Sequence, residues 1–223
     1  MKTHIENWVY TTLIFVGLAG SYAHGTNSDW QNQVRDPGLK TCIETSMKEK
    51  EWRSPVEVSS LKCHSMGIES LHGLESFTHI ETLSIYNNQL TQVDVDLSKL
   101  TKLKTLNLAR NRIQQLTLKD LPALQKLYLF DNGMAHLALS DLPHLSIIKV
   151  NNNILAGFEY SSTPNLSKIY IFNNKLETIN IYDLPALTYM DCRQNPMPDE
   201  LYDEMDKQDH VTYLHDGNAE DWN

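Results

Sequence analysis

The strongest constraint on the fold is an asparagine that returns at a nearly fixed interval. Six residues follow one another at spacings of 23, 21, 21, 21 and 21, and they are Asn88, Asn111, Asn132, Asn153, Asn174 and Asn195. Each stands in the frame Leu-x-x-Leu-x-Leu-x-x-Asn-x-Leu, with Ile, Val, Met or Cys replacing Leu in places. A period of about 20 to 29 residues with this frame is typical of a solenoid in which each repeat gives one strand to a parallel sheet.

The frame predicts which side chains are buried. In a strand, successive side chains point to opposite faces, so both apolar residues of Leu-x-Leu point into the coil. One coil cannot cover its own apolar face, and stacked coils therefore share a core. We expect each Asn to bond backbone groups of its own and the adjacent coil, because leaving such groups bare costs about 1 to 3 kcal/mol each.

Seven repeats are predicted over residues 58–197. The first, with Val58, Leu61 and Cys63, is degenerate and has Met66 where the Asn belongs. After the Asn, four repeats carry two apolar residues at a spacing of two and then a proline, as in Leu116-Thr-Leu118 before Pro122. This pattern predicts a short extended segment on the convex side, because 21 residues leave little room for a helix.

The nested pattern resembles the short class of bacterial leucine-rich repeats sometimes called IRREKO repeats, over residues 56–197. It implies a leucine-rich repeat solenoid with a parallel β-sheet on the concave face and a mostly extended convex side. Residues outside the repeats predict helical caps at both ends. An amphipathic helix begins at Leu39 within an N-terminal cap of residues 39–57, and a helix and strand form a C-terminal cap over residues 198–214.

The cysteines add a second resemblance. The stretch from Cys42 through Trp52 to Cys63 looks like the amino-terminal cap of many exported bacterial leucine-rich repeat proteins, which implies that these two cysteines form a disulfide bond. Cys192 is the third cysteine of the chain, left over when the other two pair, and it occupies an inward Leu position. We interpret it as a buried small apolar residue rather than a reactive thiol.

The first residues predict export. Lys2 precedes a short apolar run and then Ser21-Tyr22-Ala23, which fits a signal peptide over residues 1–23 with cleavage after small residues. A run of about a dozen residues is shorter than the roughly 20 needed to cross a bilayer. An uncleaved anchor and a buried segment are the alternatives to a signal peptide. We expect a periplasmic or secreted protein, with a flexible lead over residues 24–38 and a polar tail over residues 215–223.

Charge bounds the class of partner. The chain has 19 Lys and Arg against 28 Asp and Glu, a net charge of -9, which argues against a nucleic-acid binder. The outward positions of the concave sheet nevertheless carry five basic residues and one acidic residue, together with six aromatic rings. The predicted binding residues on this face are Tyr86, Lys126, Tyr128, Phe130, Lys149, Lys168, Tyr170, Phe172, Tyr189 and Arg193.

Rings interleaved with lysines favour recognition of a protein, and the lysines would attract an acidic one. We expect a monomeric chain without a cofactor. The resemblance to bacterial leucine-rich repeat proteins also implies adhesins, receptor ligands or inhibitors. Two alternatives stay open: the rings could stack on a glycan, or they could serve strand pairing alone while the lysines keep the face soluble. A metal-dependent envelope enzyme using His210, His215 and Asp216 is less favoured, because these residues lack ligand spacing.

Overall fold

The computed structural model describes residues 30–217, and its helices and strands follow the repeat. The helices are α1 (Trp30–Gln33), α2 (Pro37–Glu49) and α3 (Asp199–Asp206). The strands are β1 (Ser60–Lys62), β2 (Thr82–Ser84), β3 (Thr105–Asn107), β4 (Gln115–Lys119), β5 (Lys126–Tyr128), β6 (His136–Ser140), β7 (Ile147–Lys149), β8 (Gly157–Ser161), β9 (Lys168–Tyr170), β10 (Tyr189–Asp191) and β11 (Thr212–Leu214). Among the described residues, no helix is long and apolar enough to span a bilayer. The predicted signal peptide lies outside the described residues.

The strands form two parallel sheets on different sides of the coil. The main sheet has eight strands in the order β1-β2-β3-β5-β7-β9-β10-β11, and the second has three in the order β4-β6-β8. Seven main-sheet strands come from the seven predicted repeats, and β11 adds the edge strand predicted after the last one. The fold class is therefore confirmed. We call the outward side of the main sheet the concave face.

The apolar positions of the frame form one continuous core between the sheets. Leu83, Leu106, Leu127 and Ile148 lie in register on adjacent strands and are fully buried. The equivalent residues of the second sheet, such as Leu118, are also buried. Each coil is thus covered by its neighbours, as stacking requires.

The Asn residues bond both their own and the preceding coil. Asn153 Oδ1 accepts from the Met134 N–H at 3.1 Å, and its Nδ2 donates to the carbonyls of Leu129 at 3.1 Å and Val150 at 2.9 Å. The other five Asn side chains repeat this arrangement. The ladder therefore supplies partners to backbone groups that the turn leaves unpaired.

The N-terminal cap is held to the first coil by a disulfide bond and by one aspartate. Cys42 in α2 is bonded to Cys63, which confirms the pairing implied by the resemblance. Asp36 caps α2 by accepting from the Leu39 N–H at 2.9 Å, and its other oxygen accepts from the Glu69 N–H at 2.8 Å. The side chain thus joins the helix to the repeats.

Residues 30–38 of the predicted flexible lead belong to the folded structure, and residues 24–29 lie outside the described residues. Residues 30–38 contain α1 and the start of α2, and Trp30 and Val34 are buried. The Trp30 ring lies edge-on to Phe77 at 5.5 Å between centroids. The sequence did not predict this contact, because the residues around Trp30 are polar and its partner ring lies more than forty residues away.

The convex side is extended in three of the four repeats that carry the pattern. In the fourth, Ile179 and Ile181 are buried but belong to no strand. Asn180 explains the difference: its Oδ1 accepts from the Tyr182 N–H at 2.9 Å and its Nδ2 donates to Asp183 at 2.6 Å. Such local bonds compete with a strand ladder.

Candidate binding surface

The predicted binding residues lie on the main sheet or directly after its strands. Register pairs Ile147 with Lys126 on one side and Lys168 on the other, and pairs Lys149 with Tyr128 and Tyr170 in the same way. All six rings are partly exposed, whereas Lys126, Lys168 and Arg193 are exposed. The side chains between them point into the core, as the alternation of a strand requires.

The structure brings these rings together in two groups. In the first, the Tyr86 ring lies 5.7 Å from His64 and 6.4 Å from Phe130. Ala109 occupies the position between Tyr86 and Phe130 in the strand order and is fully buried. A small residue here allows two rings on strands that are not neighbours to meet above it.

The second group lies toward the C-terminal end of the sheet. Tyr170 and Tyr189 are 5.2 Å apart between ring centroids, and the Lys149 ammonium nitrogen lies 4.6 Å from the Tyr170 centroid. This distance allows a cation–π interaction, which an ammonium makes most strongly when water is excluded. Burial, helped by Asp191, raises the pKa of the Tyr189 hydroxyl. Tyr128 and Phe172 have no ring contact of this kind among the described residues.

Arg193 contributes less charge than the sequence predicts. Its Nε and Nη2 donate to the two carboxylate oxygens of Asp191 at 2.9 and 2.7 Å, and the Asp191 side chain is only 5% exposed. The same carboxylate raises the pKa of the guanidinium. A fork of two parallel bonds fixes Arg193 in one orientation and neutralises it. The positive charge of the face therefore comes from its four lysines, which are Lys62, Lys126, Lys149 and Lys168.

A polar row beside the concave face was missed by the sequence analysis. It consists of the residues directly before each Asn of the ladder, all with positive φ: Asn87, Arg110, Asp131, Asn152, Asn173 and Gln194. Arg110 donates to Asp131 at 3.1 Å, Asn152 donates to Asp131 at 2.7 Å, and Asn173 donates to Asn152 at 3.1 Å. The Arg110 guanidinium also lies 5.5 Å from the Tyr86 ring centroid. The available signal was the recurrence of polar residues at one position of the frame.

Two of the three residues considered for a metal site, His215 and Asp216, are engaged in structural contacts, and the third, His210, is exposed. His215 Nε2 is bonded to Asp206 at 3.0 Å and its ring stacks on Tyr202, while Asp216 accepts from the backbone N–H of Gln194. Within residues 30–217, no cluster of three or more His, Cys, Asp or Glu side chains is placed to hold a metal ion. Cys192 is buried, and burial raises the pKa of its thiol to about 12.

One strand per coil, a shared parallel sheet and an Asn ladder define a leucine-rich repeat solenoid. The family model described as leucine rich repeat matches residues 78–134. No curated protein sequence matches the chain.

Solved structures of leucine-rich repeat proteins share the fold. Internalin C2 from Listeria monocytogenes is similar with a TM-score of 0.53 and 17% identity, over 83% of this chain and 96% of that chain. YopM from Yersinia enterocolitica is similar with a TM-score of 0.53 and 20% identity, over 79% of this chain and 40% of that chain. This chain thus spans less than half of YopM. At these identities the likeness supports the fold alone.

Proposed function

We propose that this protein is an exported leucine-rich repeat protein of bacterial type that binds an acidic protein partner, as a monomer, through its concave face. The observation that carries the proposal is the joint exposure, on one sheet of a chain with a net charge of -9, of rings and of lysines that make no ion pair within residues 30–217. Side chains from adjacent strands contribute to one surface there, as at Lys149 and Tyr170.

The composition of the face favours binding over a purely structural role. Lys126, Lys149 and Lys168 make no ion pair among the described residues, so they remain available to a partner. Partly exposed rings supply apolar area at low entropic cost, and such rings beside cationic groups are frequent in protein-binding hot spots. A concave sheet also offers an extended surface to a protein partner.

Export is supported by the disulfide bond between Cys42 and Cys63, since disulfides persist mainly in oxidising compartments. It also agrees with the predicted signal peptide. The proposed location is the periplasm or the extracellular medium.

The test of the concave face uses a variant that removes its central rings. Partners are captured from envelope and host extracts with the wild type and with a quadruple variant carrying alanine at Tyr128, Phe130, Tyr170 and Phe172. The matched control carries Ile154→Ala and Tyr182→Ala, two exposed apolar side chains outside this face. We expect the quadruple variant alone to lose the partner, and identical partner sets would refute the proposal.

Salt separates a protein partner from a glycan. Attraction by lysines is screened as ionic strength rises, so the association rate with a purified acidic protein partner should fall. A neutral glycan stacked on Tyr128 or Tyr170 would lose binding when either ring becomes alanine but would respond little to salt. That result would replace the proposed partner class.

A further inference from the structure

Two strands of the concave face carry the same outward residues in the same order. The two sets, which we call the stripes, are Lys126, Tyr128 and Phe130 on and after β5, and Lys168, Tyr170 and Phe172 on and after β9. Between them lies β7, whose outward residues are different: Ile147, Lys149 and Asn151. The same surface chemistry therefore recurs once, two coils further along the solenoid.

The distance between the stripes follows from the sheet. β5, β7 and β9 are neighbours in that order, with Lys126, Ile147 and Lys168 in one register and Tyr128 and Tyr170 in another. Adjacent strands lie about 4.8 Å apart, so equivalent atoms of the two stripes are about 9.6 Å apart at the backbone. A linear ligand that uses both stripes must repeat at about that distance along the solenoid axis.

The charge of the stripes specifies the ligand's sign. Neither stripe contains an acidic residue, and the strand between them adds Lys149. The nearest acids in the strand order are already engaged, Asp191 with Arg193 and Asp131 with Arg110. Lys126 and Lys168 are exposed, so each can meet one negative group of the ligand.

We propose that the two stripes bind two successive turns of an acidic segment in polyproline II conformation, with acidic residues three positions apart. This inference rests on the proposed function and names the conformation of the partner. Polyproline II has three residues per turn and a rise of about 3.1 Å, hence about 9.3 Å between equivalent side chains. Like-facing residues of an extended strand repeat at about 6.6 Å, and two turns of an α-helix cover about 10.8 Å.

The rings fit the same ligand. Tyr128 and Tyr170 lie beside the lysines on their own strands and are partly exposed. Proline-rich segments dock on aromatic surfaces, because their rigid conformation costs little entropy on binding. One turn of the segment would place a carboxylate at Lys126 and a proline ring on Tyr128. The next turn would place a carboxylate at Lys168 and a proline ring beside Tyr170, whose ring also lies 4.6 Å from the Lys149 ammonium nitrogen.

The test compares two synthetic peptides of identical composition. One is a fourfold repeat of Glu-Pro-Pro, and the other has the same residues with the glutamates at irregular spacings. We expect the regular peptide to bind at least about fivefold more tightly by calorimetry at low salt, because only it engages both stripes at once. Lys126→Ala or Lys168→Ala should abolish that preference, whereas Lys119→Ala on the second sheet should preserve it.

A paired exchange tests the spacing without changing charge or composition. Ile147→Lys combined with Lys168→Ile moves one lysine to the neighbouring strand. With an unchanged circular dichroism spectrum, this variant should no longer distinguish the two peptides. Retained discrimination, or none in the wild type, would overturn the inference.

The outcomes separate this inference from the proposed function. If the peptides bind equally while the quadruple alanine variant still loses a protein partner, the spacing argument fails and the concave face remains a protein-binding surface. If a sulfated oligosaccharide binds through Lys126 and Lys168 while neither peptide binds, the ligand is a glycan and the inference is wrong.

Discussion

Removal of one Asn from the ladder gives the sharpest test of what stabilises the solenoid. Asn153 is 7% exposed and makes bonds to three backbone groups at 3.1 Å or less. Its two carbonyl partners keep a second donor when it is removed: Leu129 still accepts from Asn132 and Val150 from Asn174. The Met134 N–H has Asn153 Oδ1 as its acceptor and would be left buried and unpaired.

The expected cost follows from this inventory. One buried backbone donor without a partner costs about 1 to 3 kcal/mol, and two weakened carbonyl interactions add to it. We therefore expect Asn153→Ala to lower the free energy of unfolding by about 2 to 3 kcal/mol. Asn88→Ala should cost more, because Asn88 Oδ1 accepts from two backbone donors, the N–H groups of Met66 and Ile68.

The assay is urea unfolding followed by circular dichroism, with Asn165→Ala as the control. Asn165 is exposed and makes one bond, to the Pro143 carbonyl at 2.7 Å, so its loss should cost less than about 1 kcal/mol. Equal midpoints for the Asn153 and Asn165 variants would refute the account of the ladder. An Asn88 variant as stable as the Asn153 variant would refute the counting of unpaired donors.

Three further outcomes follow from the core. Replacing Cys42 and Cys63 together by alanine should lower the free energy of unfolding by about 3 kcal/mol in urea, because the bond closes a loop of about twenty residues; a change near zero would contradict this. Cys192, whose thiol pKa is raised to about 12 by burial, should react with iodoacetamide only after unfolding, as mass spectrometry would show, and rapid native labelling would be the opposite result. Ala109→Leu should separate the two rings that meet above it and lower the free energy of unfolding in urea by about 1 to 3 kcal/mol through overpacking; an unchanged free energy would show that the site has room.

The repeat made the fold predictable because one local rule decides most of it. A period of two within each strand and of 21 along the chain assigns the inward apolar positions of the main sheet before any contact is known. The burial of Leu106, Leu127 and Ile148 follows from this rule alone. The same rule places the lysines and rings on one face.

The departures come from contacts that the period does not encode. Trp30 packs against Phe77, which is distant in the sequence. No regular spacing in the sequence predicts this pair. Arg193 is neutralised by Asp191, two residues earlier. The sequence gives the number of charges on the face, but it does not show which of them are paired with each other. The bonds from Arg110 to Asp131 require coordinates, because only stacking brings those coils together.

The second sheet has a consequence for how the molecule moves. Its strands β4, β6 and β8 give the coils of β3, β5 and β7 interstrand hydrogen bonds on two sides, whereas the terminal coils have them on one. Local opening requires the loss of all the bonds between neighbouring coils, so the centre should breathe less than the ends. Amide exchange is therefore expected to be slowest around Leu127 and Leu137. A partner bound to the concave face at β5 would contact a surface that is already rigid before binding.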